Sequence, residues 1–262
     1  MESMVKLSLS VLIITKNEEK NLSECMKSVS FADEIIILDD ESTDRTCEMA
    51  QVLGARVVKR KMDYEGRHRN YGYSLAKNKW ILSLDADERV TPELQEEIRN
   101  LFNSTHLNDY LGYDIPRRNY LGEKWLKHGG QYPSAQVRLF QKCKFEYEEY
   151  EEVHPVPKPG GPFRTLKEDI IHYSYKDISD WFNRINRHTG LEAKKWYREK
   201  RNPRLLRKLR KTIDRFLKAF IIKKGYKDGF EGFMMAIGSG LYQLMSYAKY
   251  RELLENDKKK QC

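Results

Sequence analysis

The chain has 262 residues, of which 40% are hydrophobic and 11% aromatic, enough for the core of one large domain or two small ones. Its four cysteines lie far apart without a CxxC pair, which argues against a zinc site or a disulfide framework and favours a reducing cytoplasm. No signal peptide precedes Leu7 and no apolar stretch reaches about 20 residues, so we expect neither export nor a membrane span.

The positive charge is concentrated in one segment. The net charge is +9, yet residues 194–224 alone contain 14 Lys and Arg against Glu199 and Asp214, so the rest of the chain is slightly acidic. A basic region near the C-terminus is therefore expected to have a role of its own.

The first hundred residues alternate between strand-like and helix-like patterns. Short β-branched runs alternate with segments of helical apolar spacing, which is the rhythm of a mostly parallel sheet covered by helices on both faces. The pattern predicts strands over 7–15, 34–39, 55–59 and 80–84, and helices over 18–29, after Thr43 and over about 67–77.

Acidic residues cluster where the fourth of these strands ends. Asp85, Asp87 and Glu88 follow the apolar run WILSL, and carboxylates this close repel one another unless a cation lies among them. The Asp-x-Asp spacing suits a hard divalent ion, so we expect Mg²⁺ or Mn²⁺, with a nucleotide diphosphate completing its shell. The alternative is a solvated loop that caps the helix beginning near Thr91 and Pro92.

Four motifs in order give the chain a family resemblance. SVLIITKNEEKNL, ILDDESTDRT, GRHRNYGYSLA and WILSLDADE resemble the nucleotide-sugar domain of the family-2 glycosyltransferases, which have the GT-A fold and are mostly inverting. The later stretches RLFQK, EEVHP and IIHYSYKDISDW are similar in arrangement to the lipopolysaccharide-core and lipooligosaccharide β-1,4-glucosyltransferase subgroup.

The resemblance implies a role for specific positions. It places Thr15, Asn17 and Glu18 in a uridine pocket, and it gives Asp39 a hydrogen bond from the base. It further implies that Asp85 faces the ribose and the sugar and that Asp87 ligates the metal. The list of expected nucleotide-sugar contacts is completed by Arg69 and Asn70, near the uracil or the diphosphate.

An inverting transferase also needs a general base, for which a carboxylate is the usual choice. The candidates are Glu151, Glu152 and His154 in EEYEEVHP. Related sequences often have YEG followed by VHE, so Glu151 matches the first acid whereas Pro155 replaces the second.

Three further side chains have open roles. His154 or His172 would complete the metal shell, although a lone histidine is more often structural. Arg138 alternates with apolar neighbours as in a strand, and its guanidinium is expected either to reach phosphate or to pair with a surplus acid.

The basic segment has helical periodicity. In RLLRKLRKTIDRFLKAFII, apolar residues recur at helical spacing, with Arg and Lys elsewhere on the wheel. Two explanations are open: the helix contacts an anionic membrane surface, or it docks on the catalytic domain with its basic face in water. The apolar run FMMAIGSGLYQLM, too short to span a bilayer, suits an interface or a helix pair.

The expected protein is an α/β enzyme with a C-terminal helical region. We predict a nucleotide-sugar half over 1–105, an acceptor half over 106–178 and a basic helical region over 179–262. The expected reaction is metal-dependent, inverting transfer of a hexose, glucose from UDP-glucose, to a glycolipid or oligosaccharide of the cell envelope, at the cytoplasmic face of the membrane. The alternatives are a polyprenyl-phosphate sugar synthase, a nucleotidyltransferase, and a nucleic-acid-binding module with a basic helix; we expect no nucleic-acid partner.

Overall fold

The computed structural model describes residues 6–151 and 156–261. These residues form two compact units. Unit 1 comprises the described residues of Met1–Arg118 and Ser134–His172, and unit 2 comprises those of Asn119–Pro133 and Tyr173–Cys262.

Unit 1 is built on a sheet of seven strands. The first four are β1 (Leu7–Thr15), β2 (Ala32–Asp39), β3 (Arg56–Lys59) and β4 (Trp80–Asp85). Further along the chain come β5 (Glu88–Val90), β6 (Gly112–Ile115), β7 (Arg117–Leu121), β8 (Lys124–Trp125), β9 (Gln136–Gln141), β10 (Phe145–Tyr147), β11 (Pro157–Pro159), β12 (Phe163–Thr165) and β13 (Ile170–Tyr175). The order in the large sheet is β12-β6-β9-β4-β1-β2-β3, and every strand runs parallel except β9, which is antiparallel to both neighbours.

Helices connect the parallel strands of unit 1. They are α1 (Leu22–Ser28), α2 (Thr46–Val52), α3 (Glu65–Ser74) and α4 (Pro92–Phe102). The central strand β1 buries side chains on both faces because helices cover both, which is why its sequence is apolar almost throughout. The predicted strands and helices of the first hundred residues are present, with small differences at their ends.

Short strands complete unit 1. β10 and β11 form an antiparallel pair, and the first residues of β13 pair antiparallel with β5, which sets His172 opposite Glu88. The Thr91 side chain accepts the backbone N–H of Leu94 and so caps α4, which begins at Pro92, near the helix start expected from the sequence.

Unit 2 is mainly helical. Its three long helices are α5 (Ile178–Arg198), α6 (Leu205–Leu217) and α7 (Gly229–Gln261). A π-helical turn (Lys218–Ile222) and a 3-10 turn (Gly225–Asp228) join α6 to α7, and the end of β7 pairs with β8 in the same unit.

The apolar run at 233–245 lies in α7 and forms helix pairs. A Cβ on Gly238 would lie 2.2 Å from the Trp181 ring of α5, and a Cβ on Gly240 would lie 2.7 Å from the Thr212 carbonyl oxygen of α6. The two glycines therefore let α7 approach both neighbours closely. No described helix is long and apolar enough to cross a membrane. The predicted class, an α/β protein with a mostly parallel sheet followed by a helical region, is confirmed.

Candidate active site

The register of the sheet brings three polar strand ends to one edge. β1 lies between β2 and β4, and its last residues pair with theirs: Thr15 with Asp39, and Ile14 with Asp85. Ligands of parallel α/β sheets bind at this carboxyl edge. The segments predicted to bind the nucleotide sugar therefore begin side by side.

The ends of β1 and β2 are tied together by hydrogen bonds. The Thr15 hydroxyl donates to Asp39 at 3.1 Å, and the other Asp39 oxygen accepts the Ser42 backbone N–H at 2.8 Å. Asp39 is buried, so its carboxylate is held rigidly between the two loops.

Asn17 and Glu18 hold the loop after β1 against the loop after β2. Asn17 has a left-handed backbone (φ 55°), which Asn tolerates better than most residues, and its side-chain oxygen accepts the Thr43 backbone N–H at 2.8 Å. The Glu18 backbone N–H donates to the Thr46 hydroxyl at 2.8 Å. The structure thus brings Thr15, Asn17, Glu18 and Asp39 together as one polar loop cluster.

Asp85, at the end of β4, lies between two arginines. Its carboxylate accepts hydrogen bonds from Arg69 of α3 at 2.7 Å and from Arg138 of β9 at 2.9 Å. Burial alone would raise the pKa of Asp85, but the two guanidinium groups outweigh it and hold that pKa well below its usual range. Asp85 is therefore ionised and fixed in position.

Glu88 extends this ion network beneath the site. Its side chain is fully buried and accepts from Arg138 at 2.5 Å, from Arg117 at 3.4 Å and from the backbone N–H of Asp85 at 3.0 Å. Burial opposes the charge of Arg138, but Glu88 and Asp85 outweigh it and raise the pKa of that guanidinium. For Arg117 burial prevails, and its pKa is lowered.

The network changes the explanation for the acidic cluster. Repulsion between Asp85 and Glu88 is offset by arginines, so these two acids do not need a metal ion to share the strand end. Of the two alternatives open for Arg138, the structure shows the pairing with surplus acids. The chemical argument for a metal therefore rests on Asp87.

Asp87 lies beside a histidine. Its Oδ1 lies 3.7 Å from Nε2 of His172 on β13. Burial lowers the pKa of His172 to about 4, so the imidazole is neutral near pH 7 and retains a lone pair for coordination.

This donor pair fits a divalent ion. A carboxylate oxygen and a neutral imidazole nitrogen are both donors that a divalent ion such as Mn²⁺ would accept. Across residues 6–151 and 156–261 no group of three or more His, Cys, Asp or Glu is arranged as a metal site. The remaining ligands would have to be water and diphosphate oxygens, which is the usual coordination of Mg²⁺.

The Asn70 side chain binds the backbone of β10. Its side-chain amide donates to the Tyr147 carbonyl and accepts the Tyr147 N–H, both at 2.9 Å, so α3 grips β10 beside Arg69. Gly66 makes the approach possible, because a Cβ there would lie 2.1 Å from the Glu148 carbonyl oxygen. α3 thereby anchors the segment that leads to Glu151.

The candidate general bases follow directly after this anchor. Glu151 is half-buried, whereas Glu152 and His154 lie outside the described residues. The Tyr64 ring, just before α3, meets the Tyr150 ring edge-on with centroids 5.6 Å apart. Glu151 therefore lies in unit 1, together with Thr15, Asp39 and Asp85 at the strand ends.

Two members of the ion network had no role in the sequence prediction. Glu88 was counted only as one acid among three, and its contact with Arg138 joins residues 50 positions apart. Arg117 follows Pro116 at the start of β7, and nothing in its local pattern distinguishes it from the adjacent Arg118. Long-range pairing of this kind leaves no periodic signal in one sequence.

Comparison with known proteins settles the family. The profile described as Glycosyl transferase family 2 matches residues 10–212, a range that includes the ends of β1, β2 and β4 and His172. This chain belongs to glycosyltransferase family 2. An uncharacterized glycosyltransferase of Rickettsia typhi is 32% identical to it over 94% of this chain and 87% of that protein.

Other proteins similar to this family 2 glycosyltransferase have lower sequence identity. The lipopolysaccharide core biosynthesis glycosyltransferase LpsC of Rhizobium meliloti is 25% identical over 93% of this chain and 92% of that protein. A crystal structure of Staphylococcus aureus TarS, residues 1–349, superposes with a TM-score of 0.47 at 14% identity, covering 97% of this chain and 92% of that one.

Proposed function

We propose that this glycosyltransferase transfers glucose from UDP-glucose, with inversion and with Mg²⁺ or Mn²⁺, to a glycolipid or oligosaccharide acceptor in lipopolysaccharide core biosynthesis. The observation that supports it best is the register of β1, β2 and β4, which aligns Thr15, Asp39 and Asp85 at one edge. The family match and the similarity to LpsC support the reaction class and the acceptor class.

The donor would bind across the aligned strand ends. In this proposal Asp39 accepts the uracil N–H, with Thr15, Asn17 and Glu18 lining the uridine pocket. Two hydrogen bonds already fix the Asp39 carboxylate, so its orientation is set before the donor binds.

The sugar and diphosphate would lie at the arginine network. Arg69 and Arg138 hold Asp85 ionised, so its carboxylate is fixed where it can accept hydrogen bonds from ribose and sugar hydroxyls. Arg69 and Arg138 are already paired with acids, so their contribution is to fix the Asp85 carboxylate in advance, and preorganised charge needs no rearrangement during the reaction.

Asp87 and His172 would hold the metal. A divalent ion bound there offsets the negative charge that develops on the departing UDP. The neutral state of His172 is the form that can ligate an ion, and the Asp87 carboxylate supplies the matching negative charge.

Direct inversion requires a base that removes the acceptor proton. We assign this role to the acidic segment that contains Glu151 and Glu152, with His154 as an alternative base or a further metal ligand. Asn70 of α3 binds the backbone of Tyr147, so the segment that carries the base starts from a fixed position. Glu152→Gln and Glu151→Gln, assayed separately, identify the base: its loss lowers kcat by a factor of about 100 or more while leaving donor binding unchanged.

A transfer assay with purified protein tests the proposal. The donors are UDP-glucose, UDP-galactose, UDP-N-acetylglucosamine and GDP-mannose, each offered with a lipopolysaccharide core acceptor or with polyprenyl phosphate, with and without EDTA. The proposal predicts EDTA-sensitive transfer of glucose from UDP-glucose to the core acceptor only. Transfer to polyprenyl phosphate would assign the alternative synthase activity, and a preference for GDP-mannose would contradict the proposed donor.

A further inference from the structure

The exposed apolar side chains of the protein concentrate on one part of unit 2. Leu206 and Ile213 of α6 are 81% and 60% exposed, Ile222 in the following turn is 72% exposed, and Phe230 at the start of α7 is 67% exposed. An isolated exposed leucine needs no explanation, but a run of them along one helix indicates a surface that contacts something apolar.

The amphipathic helix α6 packs on its neighbours through its polar side, whereas a core helix packs through its apolar side. Its one buried residue is Lys208, whose ammonium lies 3.6 Å from the centre of the Trp196 ring and 3.4 Å from Gln243. Thr212, one turn on, meets Gly240 of α7. The polar side of α6 therefore packs on the helices of unit 2, and the apolar stripe is left outside.

The apolar surface continues from α6 onto α7. The Phe220 ring stacks on the Phe216 ring with centroids 5.5 Å apart, and Phe233 of α7 meets both rings. Phe230 lies next to Phe233 with centroids 6.4 Å apart. Aromatic contacts thus join the α6 stripe, the π-helical turn and the first turn of α7.

Positive charge borders this apolar surface. At 3.6 residues per turn, Leu206, Ile213 and Leu217 fall along one line of α6, and the exposed Arg207 and Lys211 fall about a third of a turn away. Asp214 is the one acidic residue of α6. The surface therefore offers an apolar line beside a row of cations.

We infer that this surface, formed by the exposed apolar residues of α6, Ile221, Ile222 and Phe230, inserts into the interfacial layer of an anionic membrane. A helix with an apolar stripe and an adjacent basic row lies flat in that layer, with its apolar side chains among the acyl chains and its cations at the anionic headgroups. The charge favours anionic lipid over a second copy of this chain, because two such basic rows would repel each other. The inference rests on this surface alone, independently of the donor or acceptor.

Vesicle sedimentation with the full-length protein tests the inference. Vesicles of phosphatidylethanolamine with phosphatidylglycerol should sediment the protein, whereas vesicles of phosphatidylcholine should sediment little of it. Ile213→Glu should weaken binding to the anionic vesicles by about tenfold or more. Arg207→Gln combined with Lys211→Gln should weaken it and reduce its dependence on salt.

Val52→Glu is the matched control. Val52 is 82% exposed on α2 of unit 1 and is not one of the residues of the proposed surface, so the substitution makes a similar chemical change and should leave sedimentation unchanged. Equal binding by the wild type and Ile213→Glu would overturn the inference, provided that their melting temperatures agree. So would an oligomer that Ile213→Glu dissociates in the absence of lipid, since the surface would then bind a second copy.

Discussion

Removing Glu88 should destabilise the protein far more than removing an exposed acid. In Glu88→Ala, Arg138 and Arg117 keep their charges at a buried position while one of the two carboxylates that offset them is lost. The Asp85 backbone N–H loses its acceptor in the same variant. The substitution therefore disturbs both the ion network and the geometry of the strand end.

The magnitude follows from these contacts. Glu88 makes two close hydrogen bonds, at 2.5 Å to Arg138 and at 3.0 Å to the Asp85 N–H, and a longer one at 3.4 Å to Arg117. A hydrogen bond that involves a charged group contributes about 1.5–3 kcal/mol. Two such bonds agree with the loss of about 3–5 kcal/mol that follows when one partner of a buried ion pair is removed.

Urea denaturation measures the change in the free energy of unfolding. Glu48→Ala is the control, because Glu48 pairs with Arg45 at the exposed surface of α2, and its loss should give no resolvable change. Glu88→Gln keeps one acceptor oxygen and should lie between the two. A loss below about 1 kcal/mol for Glu88→Ala would refute the buried network as a stabilising structure.

Two further predictions concern unit 2. Gly238→Ala should lower stability by about 1–3 kcal/mol, because the new methyl group collides with the Trp181 ring of α5. Gly190→Ala should raise stability by about 0.5–1 kcal/mol, because its Cβ would meet a lysine ammonium at 3.8 Å and alanine favours the helix. In thermal melts, a lower melting temperature for the first variant and a higher one for the second support the tight pairing of α5 and α7, and shifts in the same direction contradict it. Burial lowers the pKa of Lys208 to about 8, below its ordinary value of 10.5. Between these two pH values the unfolded chain binds more protons at this residue than the folded chain does, so the folded state becomes more stable as pH rises. The urea midpoint of the wild type should therefore rise relative to that of Lys208→Met between pH 7.5 and 10, and a constant difference would contradict the lowered pKa.

The core of unit 1 was predictable because its signals are local. Strands buried on both faces are continuous apolar runs, and the polar motifs that follow β1, β2 and β4 mark where those strands end. Their convergence needed only the rule that parallel strands share a carboxyl edge. The contacts of Asn17, Asp39 and Asp85 then add geometry that the motifs alone do not contain.

Long-range pairing was not predictable from one sequence. The partners Glu88, Arg117 and Arg138 come from three different strands, and no spacing rule relates them. The orientation of α6 was also open, since its periodicity revealed an apolar stripe and a basic side but not which would be buried. In the folded protein the polar side is buried, because Lys208 packs against the Trp196 ring.

Calorimetric titration of UDP into the purified protein, with and without Mn²⁺, tests the central claim most directly. The account predicts that UDP binds in a Mn²⁺-dependent manner, that GDP binds much more weakly, and that Asp87→Ala abolishes the metal-dependent binding while the melting temperature is not lowered. UDP binding that is the same with and without Mn²⁺, or that persists in Asp87→Ala, would contradict a metal-assisted donor site at the end of β4.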